Sequence, residues 1–265
     1  MKLLVAFKVC PDLDLLQVND LVVREEMGVD THFLPNILNC YDESSLELAL
    51  RFRDQAQEAG GETELSAITI GEEHTELYLK TLQALGYDHP VRVCGEDEQL
   101  RYRPELVAQT IASYARETGQ QVLLLGREAP LGNHGTTAQM TACLLGYPLI
   151  SSVTDVKPGE RDTLRVRTME CGREMEQTVS APCVLAVGNA VVSKLRIPSL
   201  RMRMKWKNIP CEQYELKRAQ TYGYPVPVKL EVPDRKRSGY LSPERGGAAV
   251  ADVFQRGLEE RLEML

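Results

Sequence analysis

The amino-acid sequence predicts an α/β fold in which a parallel, Rossmann-like sheet is covered by helices on both faces. Short apolar runs of β type alternate along the chain with segments of helical period. The chain has 265 residues, enough to bury a full core, and its 43% hydrophobic and 26% charged residues are ordinary globular values. We therefore expect one α/β domain over residues 1–190, followed by a C-terminal appendage.

The elements of this domain are predicted from local patterns. The predicted strands are KLLVAFKV (2–9), ELSAITI (64–70), PVRVC (90–94), VLLL (122–125), LISSVTDV (149–156) and VLAVG (184–188), the last of which closes the sheet. Two hairpins are predicted, one from LVVRE and THFLP around Met27 and Gly28, and one from LRVRT and MEQTV. Helical spacing predicts a helix over 44–59, with Asp42 as a candidate N-cap and Gly60 as a stop. Further helices follow the strands that end at residues 70, 94 and 125.

Charge and cysteine content argue against several classes of protein. The formal net charge of -7 argues against a dedicated nucleic-acid binder. The seven cysteines are odd in number, scattered and never in a C-x-x-C pair, so neither a disulfide framework nor a zinc site is expected. The opening MKLLVAFKVCPDLD has too short an apolar stretch for a signal peptide, and no later window approaches about 20 apolar residues. We therefore expect a soluble, cytoplasmic protein without membrane insertion.

The composition changes beyond residue 190. Residues 191–238 are rich in Lys, Arg and Pro, have no clear period, and are expected to form an extended arm. Within it, KLRIPSLRMRMKWK (194–207) alternates basic and apolar residues, as in a strand with one basic and one apolar face. Such a strand could dock an acidic partner, a nucleic acid or a membrane, or it could be a solvated edge strand. Residues 239–265 contain a flexible joint, GYLSPERGG, and a terminal helix expected to pack on a partner.

Two loops after predicted strands are candidate ligand sites, because open parallel sheets bind ligands at the carboxyl ends of their strands. The first, at 39–42, offers polar groups for a ribose or an adenine edge, or is only an N-cap and a turn. The second, GREAPLGNHGTTAQMTA (126–142), is rich in glycine and hydroxyl residues and leads into a helix. Its bare backbone N–H groups and the positive helix terminus would hold a phosphate without a lysine. His134 could contact that phosphate or a ribose, or could be solvated.

Motifs for catalysis and for metal binding are absent from the sequence. It contains no G-x-G-x-x-G after a strand, no G-x-x-x-x-G-K-[ST] and no G-x-S-x-G. Its four histidines lie far apart, without the spacing of metal ligands. We therefore expect no catalytic residue and no metal site.

Three stretches resemble the β subunit of electron transfer flavoproteins, the family that includes the nitrogen-fixation FixA proteins. KLLVAFK is similar to the family's opening strand, and NCYDESSLELAL (39–50) is similar to its N-P-[FY]-D-E-x-A-x-E-x-A, with Cys40 in place of the proline. The loop at 126–142 lines up without gaps with G-[KR]-Q-A-I-D-x-D-x-x-Q-T-G-Q-M-T-A. Within it, Leu131 and Asn133 stand where acids are usual, and Thr136 stands where Gln is usual. The resemblance covers most of the chain, as far as the basic arm near residue 207.

The resemblance implies a nucleotide-binding α/β domain with an adenine-nucleotide hydrolase-like fold. Such a β subunit holds AMP or, in electron-bifurcating members, a second FAD, and the α-subunit partner of the heterodimer carries the redox-active FAD. The implied nucleotide contacts are Ala6, Asn39, Tyr41, Asp42, Ile70, Gly132, Asn133, His134, Gly135, Thr136, Thr137, Gln139, Met140 and Thr141.

The resemblance also implies a docking surface. Residues 194–206 resemble the recognition loop that docks on a flavin dehydrogenase or a quinone oxidoreductase. The implied contacts are Pro198, Leu200, Arg201 and Met202, with Leu200 as the anchor. The chain is thus expected to be an electron carrier subunit rather than an enzyme.

Two other functions stay open at this point. An ATP-using enzyme of the adenine-nucleotide hydrolase-like fold usually carries an S-G-G-x-D-S loop after its first strand, where this chain has KVCPDLDLL. A nucleic-acid-binding module would use the basic arm, in spite of the acidic total charge.

Overall fold

The structure is a computed structural model that describes residues 1–17, 20–22, 28–95, 100, 103–130, 135–216, 229–230, 247, 251 and 254–255. Its strands are β1 (Lys2–Ala6), β2 (Val9–Pro11), β3 (Asn36–Leu38), β4 (Glu64–Ile70), β5 (His89–Cys94), β6 (Val122–Gly126), β7 (Leu149–Pro158), β8 (Thr163–Glu170), β9 (Arg173–Ser180), β10 (Cys183–Val187) and β11 (Glu212–Glu215). Its helices are α1 (Cys40–Glu58), α2 (Glu76–Leu85), α3 (Pro104–Thr118), α4 (Thr137–Leu145) and α5 (Leu200–Trp206).

A nine-stranded sheet runs through the described residues in the order β11-β5-β4-β1-β6-β10-β7-β8-β9. The strands from β11 to β7 are parallel, and β8 and β9 add the predicted antiparallel hairpin. From β1 the chain moves to one side through β4 and β5, and it then returns to β6 on the other side of β1. The carboxyl ends of β1 and β6 therefore border the switch point at which open α/β sheets bind ligands. The predicted fold class is confirmed.

Helices cover both faces of the sheet because alternate residues of the central strands are apolar on both sides. On β1, Leu3 and Val5 belong to a buried cluster with Leu46 of α1, whereas Leu4 belongs to a second cluster with Ile111 of α3. Thus α1 and α2 cover one face, and α3 and α4 cover the other. Burial of each such side chain stabilises the fold by about 1.5–3 kcal/mol relative to exposure.

The N-terminal region departs from the sequence prediction in three ways. The predicted strand 2–9 is two strands, since β1 ends at Ala6 and β2 leaves the main sheet to pair antiparallel with β3. Residues 31–35, predicted as half of a hairpin, form a turn rather than a strand, and most of LVVRE lies outside the described residues. Helix α1 begins at Cys40 instead of residue 44, so Asn39 is the N-cap and Asp42 lies in the first turn.

The C-terminal half also differs from the prediction. Strand β10 does not close the sheet but lies inside it, between β6 and β7. Residues 200–206 of the predicted extended arm are the helix α5, and residues 212–215 are a strand that joins the main sheet beside β5. Of the predicted terminal helix, residues 251 and 254–255 are helical, and the rest lies outside the described residues. Residue 247, the last of the predicted flexible joint, is helical as well.

Candidate functional site

A cavity of about 250 Å³ opens at the carboxyl ends of β1, β4 and β6. Strand ends and helix starts line it through Ala6, Ile70, Gly126, Asn39, Pro104 and Thr137. Because the helices that follow parallel strands begin at this edge of the sheet, the N-termini of α1, α3 and α4 meet at one cavity. The cavity thus occupies the switch point of the sheet.

Asp42 joins the loop after β1 to the end of β6. Its carboxylate accepts a hydrogen bond from the backbone N–H of Lys8 at 2.9 Å and another from that of Gly126 at 2.8 Å. Asn39 extends this link, because its Nδ2 donates to the carbonyl oxygen of Glu128 at 2.9 Å. Asp42 therefore fixes the geometry of the switch point and is not the N-cap that the sequence predicts.

Gly126 has no room for a side chain. A Cβ atom at this position would lie 2.3 Å from Oδ1 of Asp42, 3.0 Å from Cβ of Tyr41 and 3.1 Å from Nδ2 of Asn39. The end of β6 can approach the start of α1 this closely only because residue 126 is glycine. Gly126 and Asp42 therefore form one structural unit.

Asp42 is buried, with 6% of the residue exposed. Burial raises its pKa from an ordinary 3.8 to about 6, against the lowering effect of the hydrogen bonds from Asn39, Lys8 and Gly126. Asp42 is therefore ionised at neutral pH and takes up a proton in mildly acidic solution.

Arg127 places a positive charge at the cavity. Its Nη2 lies 2.5 Å from Oε1 of Glu128 and 3.4 Å from the hydroxyl of Tyr41, and its guanidinium lies 5.4 Å from the centroid of the Tyr41 ring. The bond to Glu128 raises the pKa of Arg127 above its ordinary value. Lys8 is a second cationic residue in the lining. The carboxylates of Asp42 and Glu128 also belong to the lining, so these side-chain charges balance and the attraction of an anion depends on the N-terminus of α4.

The N-terminus of α4 has no side-chain cap. Thr136 occupies the N-cap position without capping the helix, and the first turn contains no acidic residue. The Thr136 Oγ1 atom is buried and has no hydrogen-bond partner within the described ranges. Gly135 precedes it with a φ of +62°, a conformation that favours glycine. The first N–H groups of α4 are therefore available to an anion.

The structure brings six of the predicted nucleotide contacts together in the cavity lining. They are Ala6, Asn39, Asp42, Ile70, Gly135 and Thr137. The lining does not include Tyr41, Thr136, Gln139, Met140 or Thr141. Thr141 is buried, and its hydroxyl donates to the carbonyl oxygen of Thr137 inside α4. The predicted contacts Gly132, Asn133 and His134 lie outside the described residues.

Sequence reasoning missed the apolar wall of the cavity. Helix α3 contributes Pro104, Val107 and Ile111 to this wall, and the sheet contributes Ile68 and Leu125. One signal was present, since proline at the first position of a helix marks its start and this start follows a predicted strand. The apolar character of the wall could not be read locally, because Val107 and Ile111 look like ordinary core residues.

A second exposed surface lies at Ile197 and α5, which we call the α5 segment (residues 197–206). Ile197, Leu200 and Met204 are 82%, 76% and 62% exposed, although all three are large and apolar. Met202 and Trp206 are half-buried on the other side of α5, which packs on α2. Residues four apart share a helix face. Leu200 and Met204 therefore lie on the outer face of α5, and Met202 and Trp206 lie on its inner face.

The predicted partner contacts fall on different sides of this segment. Leu200 and Arg201 are exposed, whereas Pro198 is buried within the chain and Met202 is half-buried. Ser199 caps α5, because its Oγ accepts a hydrogen bond from the backbone N–H of Met202 at 3.3 Å. The exposed apolar surface is therefore formed by Ile197, Leu200 and Met204.

Other kinds of site find no support in the described part of the chain. No group of three or more His, Cys, Asp or Glu side chains there is placed to hold a metal ion. None of the helices described is both long and apolar enough to span a bilayer. All seven cysteines are free thiols.

Comparison with known proteins identifies the family. The model of the electron transfer flavoprotein domain matches residues 26–216. The chain is 30% identical over 180 residues to electron transfer flavoprotein subunit beta of Bacillus subtilis (strain 168), which covers 68% of this chain and 67% of that protein. It is 26% identical over 255 residues to electron transfer flavoprotein subunit beta of Methylophilus methylotrophus, and the match covers 95% of this chain and 92% of that protein. It is 33% identical over 149 residues to the mitochondrial subunit beta of Oryza sativa subsp. indica, with 56% of each covered.

The matched region contains most of the cavity lining and the whole α5 segment. These matches are to electron carriers, and they favour neither the ATP-using enzyme nor the nucleic-acid module. The chain therefore belongs to the β-subunit family of electron transfer flavoproteins.

Proposed function

We propose that the chain is the β subunit of a heterodimeric electron transfer flavoprotein and that it holds AMP or FAD in the cavity at the switch point. Its α-subunit partner carries the redox-active FAD. The complex moves electrons between a flavin dehydrogenase or quinone oxidoreductase and a further acceptor.

The cavity carries this proposal, because it offers the contacts that an adenine nucleotide needs. The uncapped start of α4 suits a phosphate, which Arg127 and Lys8 also attract. The apolar wall that includes Val107 and Ile111 suits an adenine ring. Thr136 is not in the lining but occupies the N-cap position next to Gly135 and Thr137, which are, and its buried Oγ1 has no partner among the described residues.

The size of the cavity supports the smaller of the two nucleotides. Its volume is about 250 Å³, and ligand cavities in proteins usually measure about 300–1,000 Å³. An AMP molecule needs less space than FAD, so the same cavity accepts AMP with less rearrangement.

The residues of this chain contribute binding and placement. A bound flavin supplies the electron-transfer chemistry itself. Asp42 and Gly126 hold β1, β6 and α1 at fixed separations, and Arg127 balances the charge of a phosphate. No residue of the cavity is required as a general acid or base.

Co-purification of the chain with its α subunit tests the nucleotide proposal. We expect denaturation and chromatography to release either one AMP and one FAD, or two FAD, from each heterodimer. A visible spectrum recorded before denaturation counts the flavins independently. A heterodimer that releases FAD from the α subunit alone, with no nucleotide from this chain, contradicts the proposal.

The same proposal places the docking of the dehydrogenase or quinone oxidoreductase at the α5 segment. Leu200 and Met204 present an apolar surface beside Arg201, Arg203 and Lys205, which suits a partner with an apolar depression and an acidic rim.

We expect Leu200→Ala to raise the KM of the cognate dehydrogenase for the complex by about tenfold, because an exposed anchor contributes binding free energy without stabilising the fold. Met175→Ala on β9, where the side chain is 51% exposed at the far edge of the sheet, is the matched control. Equal KM values for the two variants would remove the α5 segment from the docking surface.

A cytoplasmic location is part of the proposal, and it is supported by the seven free thiols. Titration of protein denatured directly from cells should count seven reactive thiols. A lower count would indicate disulfides and an oxidising compartment.

A further inference from the structure

Three carboxylates form one stripe along α1. Glu43 and Glu47 are four residues apart, and Asp54 follows seven residues later, so the three side chains share one helix face. This face does not lie on the sheet. It lies under the segment 194–196, which leads directly into the α5 segment.

The stripe holds segment 194–196 through both backbone and side-chain groups. Glu43 accepts a hydrogen bond from the backbone N–H of Leu195 at 3.1 Å and one from Nζ of Lys194 at 3.2 Å. Arg196 donates from Nη1 to Oδ2 of Asp54 at 2.6 Å. The segment is therefore bound to α1 at three positions along the helix.

Arg196 and Glu47 make the densest of these contacts. The Glu47 carboxylate accepts four hydrogen bonds from Arg196, from Nε at 3.0 and 3.1 Å, from Nη2 at 2.9 Å and from the backbone N–H at 3.0 Å. Glu47 is 7% exposed. A carboxylate this well buried needs a partner, and the planar guanidinium supplies one with a fixed orientation.

Apolar contacts fix the same stretch of chain on both sides of Arg196. Leu195 packs on the buried cluster between α1 and the sheet, and Pro198 is buried two residues after Arg196. Ile197 and Leu200 are exposed immediately beyond. Arg196 is thus held directly before the exposed apolar surface.

We propose that Arg196, clamped by Glu47 and Asp54 of α1, is the positioning residue that fixes the α5 segment for docking on the electron-transfer partner. This inference rests on the proposed docking function. Arg196 lowers the conformational entropy that the α5 segment would lose on docking.

The test uses the complete heterodimer and two measurements. For Arg196→Ala we expect hydrogen exchange in peptides covering residues 192–206 to accelerate about tenfold, because the clamp no longer holds the segment. We also expect the KM of the cognate dehydrogenase for the complex to rise about tenfold while kcat stays within about twofold, because only the docking geometry is loosened. Arg196→Lys should recover part of both effects, since a lysine keeps the charge but loses the planar fork.

Two further variants separate positioning from general damage. Arg167→Ala removes another arginine that contacts two carboxylates, Glu174 and Glu176 on β9, and it should change neither measurement. Because Arg196→Ala leaves the buried Glu47 without its cationic partner, the double variant Arg196→Gln with Glu47→Gln supplies a neutral pair for the same measurements. It should show the same rise in KM in a folded protein.

The outcomes distinguish this inference from the docking proposal. The positioning role would be overturned, and docking left intact, if Leu200→Ala raised the KM while Arg196→Ala and the double variant Arg196→Gln with Glu47→Gln changed neither the exchange rate nor the KM. An unchanged KM for Leu200→Ala and Arg196→Ala alike would overturn docking, and the positioning role with it. A fall in kcat without a rise in KM would also overturn the inference.

Discussion

Gly126 and Asp42 decide how closely β6 approaches α1. The Asp42 carboxylate occupies the space that a side chain at residue 126 would need, and it accepts the N–H of that same residue. The sequence around each position looks ordinary, because one residue ends an apolar run and the other follows an N-cap. Their interdependence arises from a contact between residues 84 positions apart.

We expect Gly126→Ala to destabilise the fold by about 1–3 kcal/mol, because its methyl group would overlap Oδ1 of Asp42. Urea unfolding measures this change. Gly188→Ala is the control, since it lies at the same edge of the sheet, just after β10, and its Cβ would meet nothing closer than 3.5 Å. Equal midpoints for the two variants would show that the Asp42 contact does not constrain residue 126.

The pH dependence of stability should carry the signature of Asp42. Its pKa is about 6 in the folded protein and 3.8 without the fold, so between these values the folded state binds more protons than the unfolded state. Asp42 therefore contributes about 3 kcal/mol to the free energy of unfolding below pH 4, and this contribution is lost as the pH rises to 6.

Asp42→Asn removes this titration while keeping the shape of the side chain. The free energy of unfolding of the native protein minus that of the variant should fall between pH 4 and pH 7. A difference that rises over this range would mean that the hydrogen bonds from Lys8 and Gly126 outweigh the cost of burial.

Among the helices and strands, α5 shows that an alternation of basic and apolar residues is compatible with either a strand or a helix. In a strand, Met202 and Met204 would share a face, whereas in a helix residues two apart lie on opposite sides. The helix is favoured by the Ser199 cap and by the packing of α5 on α2. Neither feature affects the alternation, which led to the prediction of a strand.

Met202→Ala and Met204→Ala test the helical phase of α5. We expect Met202→Ala to cost about 1 kcal/mol, because its side chain is half-buried. Met204→Ala should change stability by less than about 0.5 kcal/mol, since its side chain is 62% exposed. Trp206 is the only tryptophan of the chain and reports unfolding by fluorescence. Equal effects of the two variants would indicate a strand.

At the scale of the whole molecule, strand order creates the candidate site. The chain returns to β6 beside β1 after building β4 and β5, and this return opens the cavity between helices that start at one edge. Helix α1 then serves two surfaces, because Asn39 and Asp42 line the cavity while Glu43 and Glu47 hold segment 194–196.

Nucleotide binding should therefore stabilise the whole domain. At about 100 times its Kd, AMP should raise the free energy of unfolding of the nucleotide-free complex by about 2.7 kcal/mol. A rise in Tm of about 5–10 °C should accompany it in a thermal melt. Adenosine is the control, since it lacks the phosphate that α4, Arg127 and Lys8 would attract. Equal shifts with AMP and adenosine would contradict a phosphate site.

Local sequence patterns are enough to predict the α/β class, the parallel strands, the β8–β9 hairpin and a helix after the loop that follows β6. These features follow from alternation, from helical period and from turn residues, which act over a few neighbouring positions. The motifs at 39–50 and 126–142 also indicate the family, because they retain the family's residue types at the family's spacing.

Contacts between distant parts of the chain set where β10 and β11 enter the sheet, place Asp42 between the loop after β1 and the end of β6, and bind Arg196 to the carboxylates of α1. They also decide that Pro198 is buried and that Ile197 and Met204 are exposed beside Leu200. The physical reason is shared by all of these features. Each depends on packing or hydrogen bonds between residues far apart in the chain, and local periodicity carries no information about such partners.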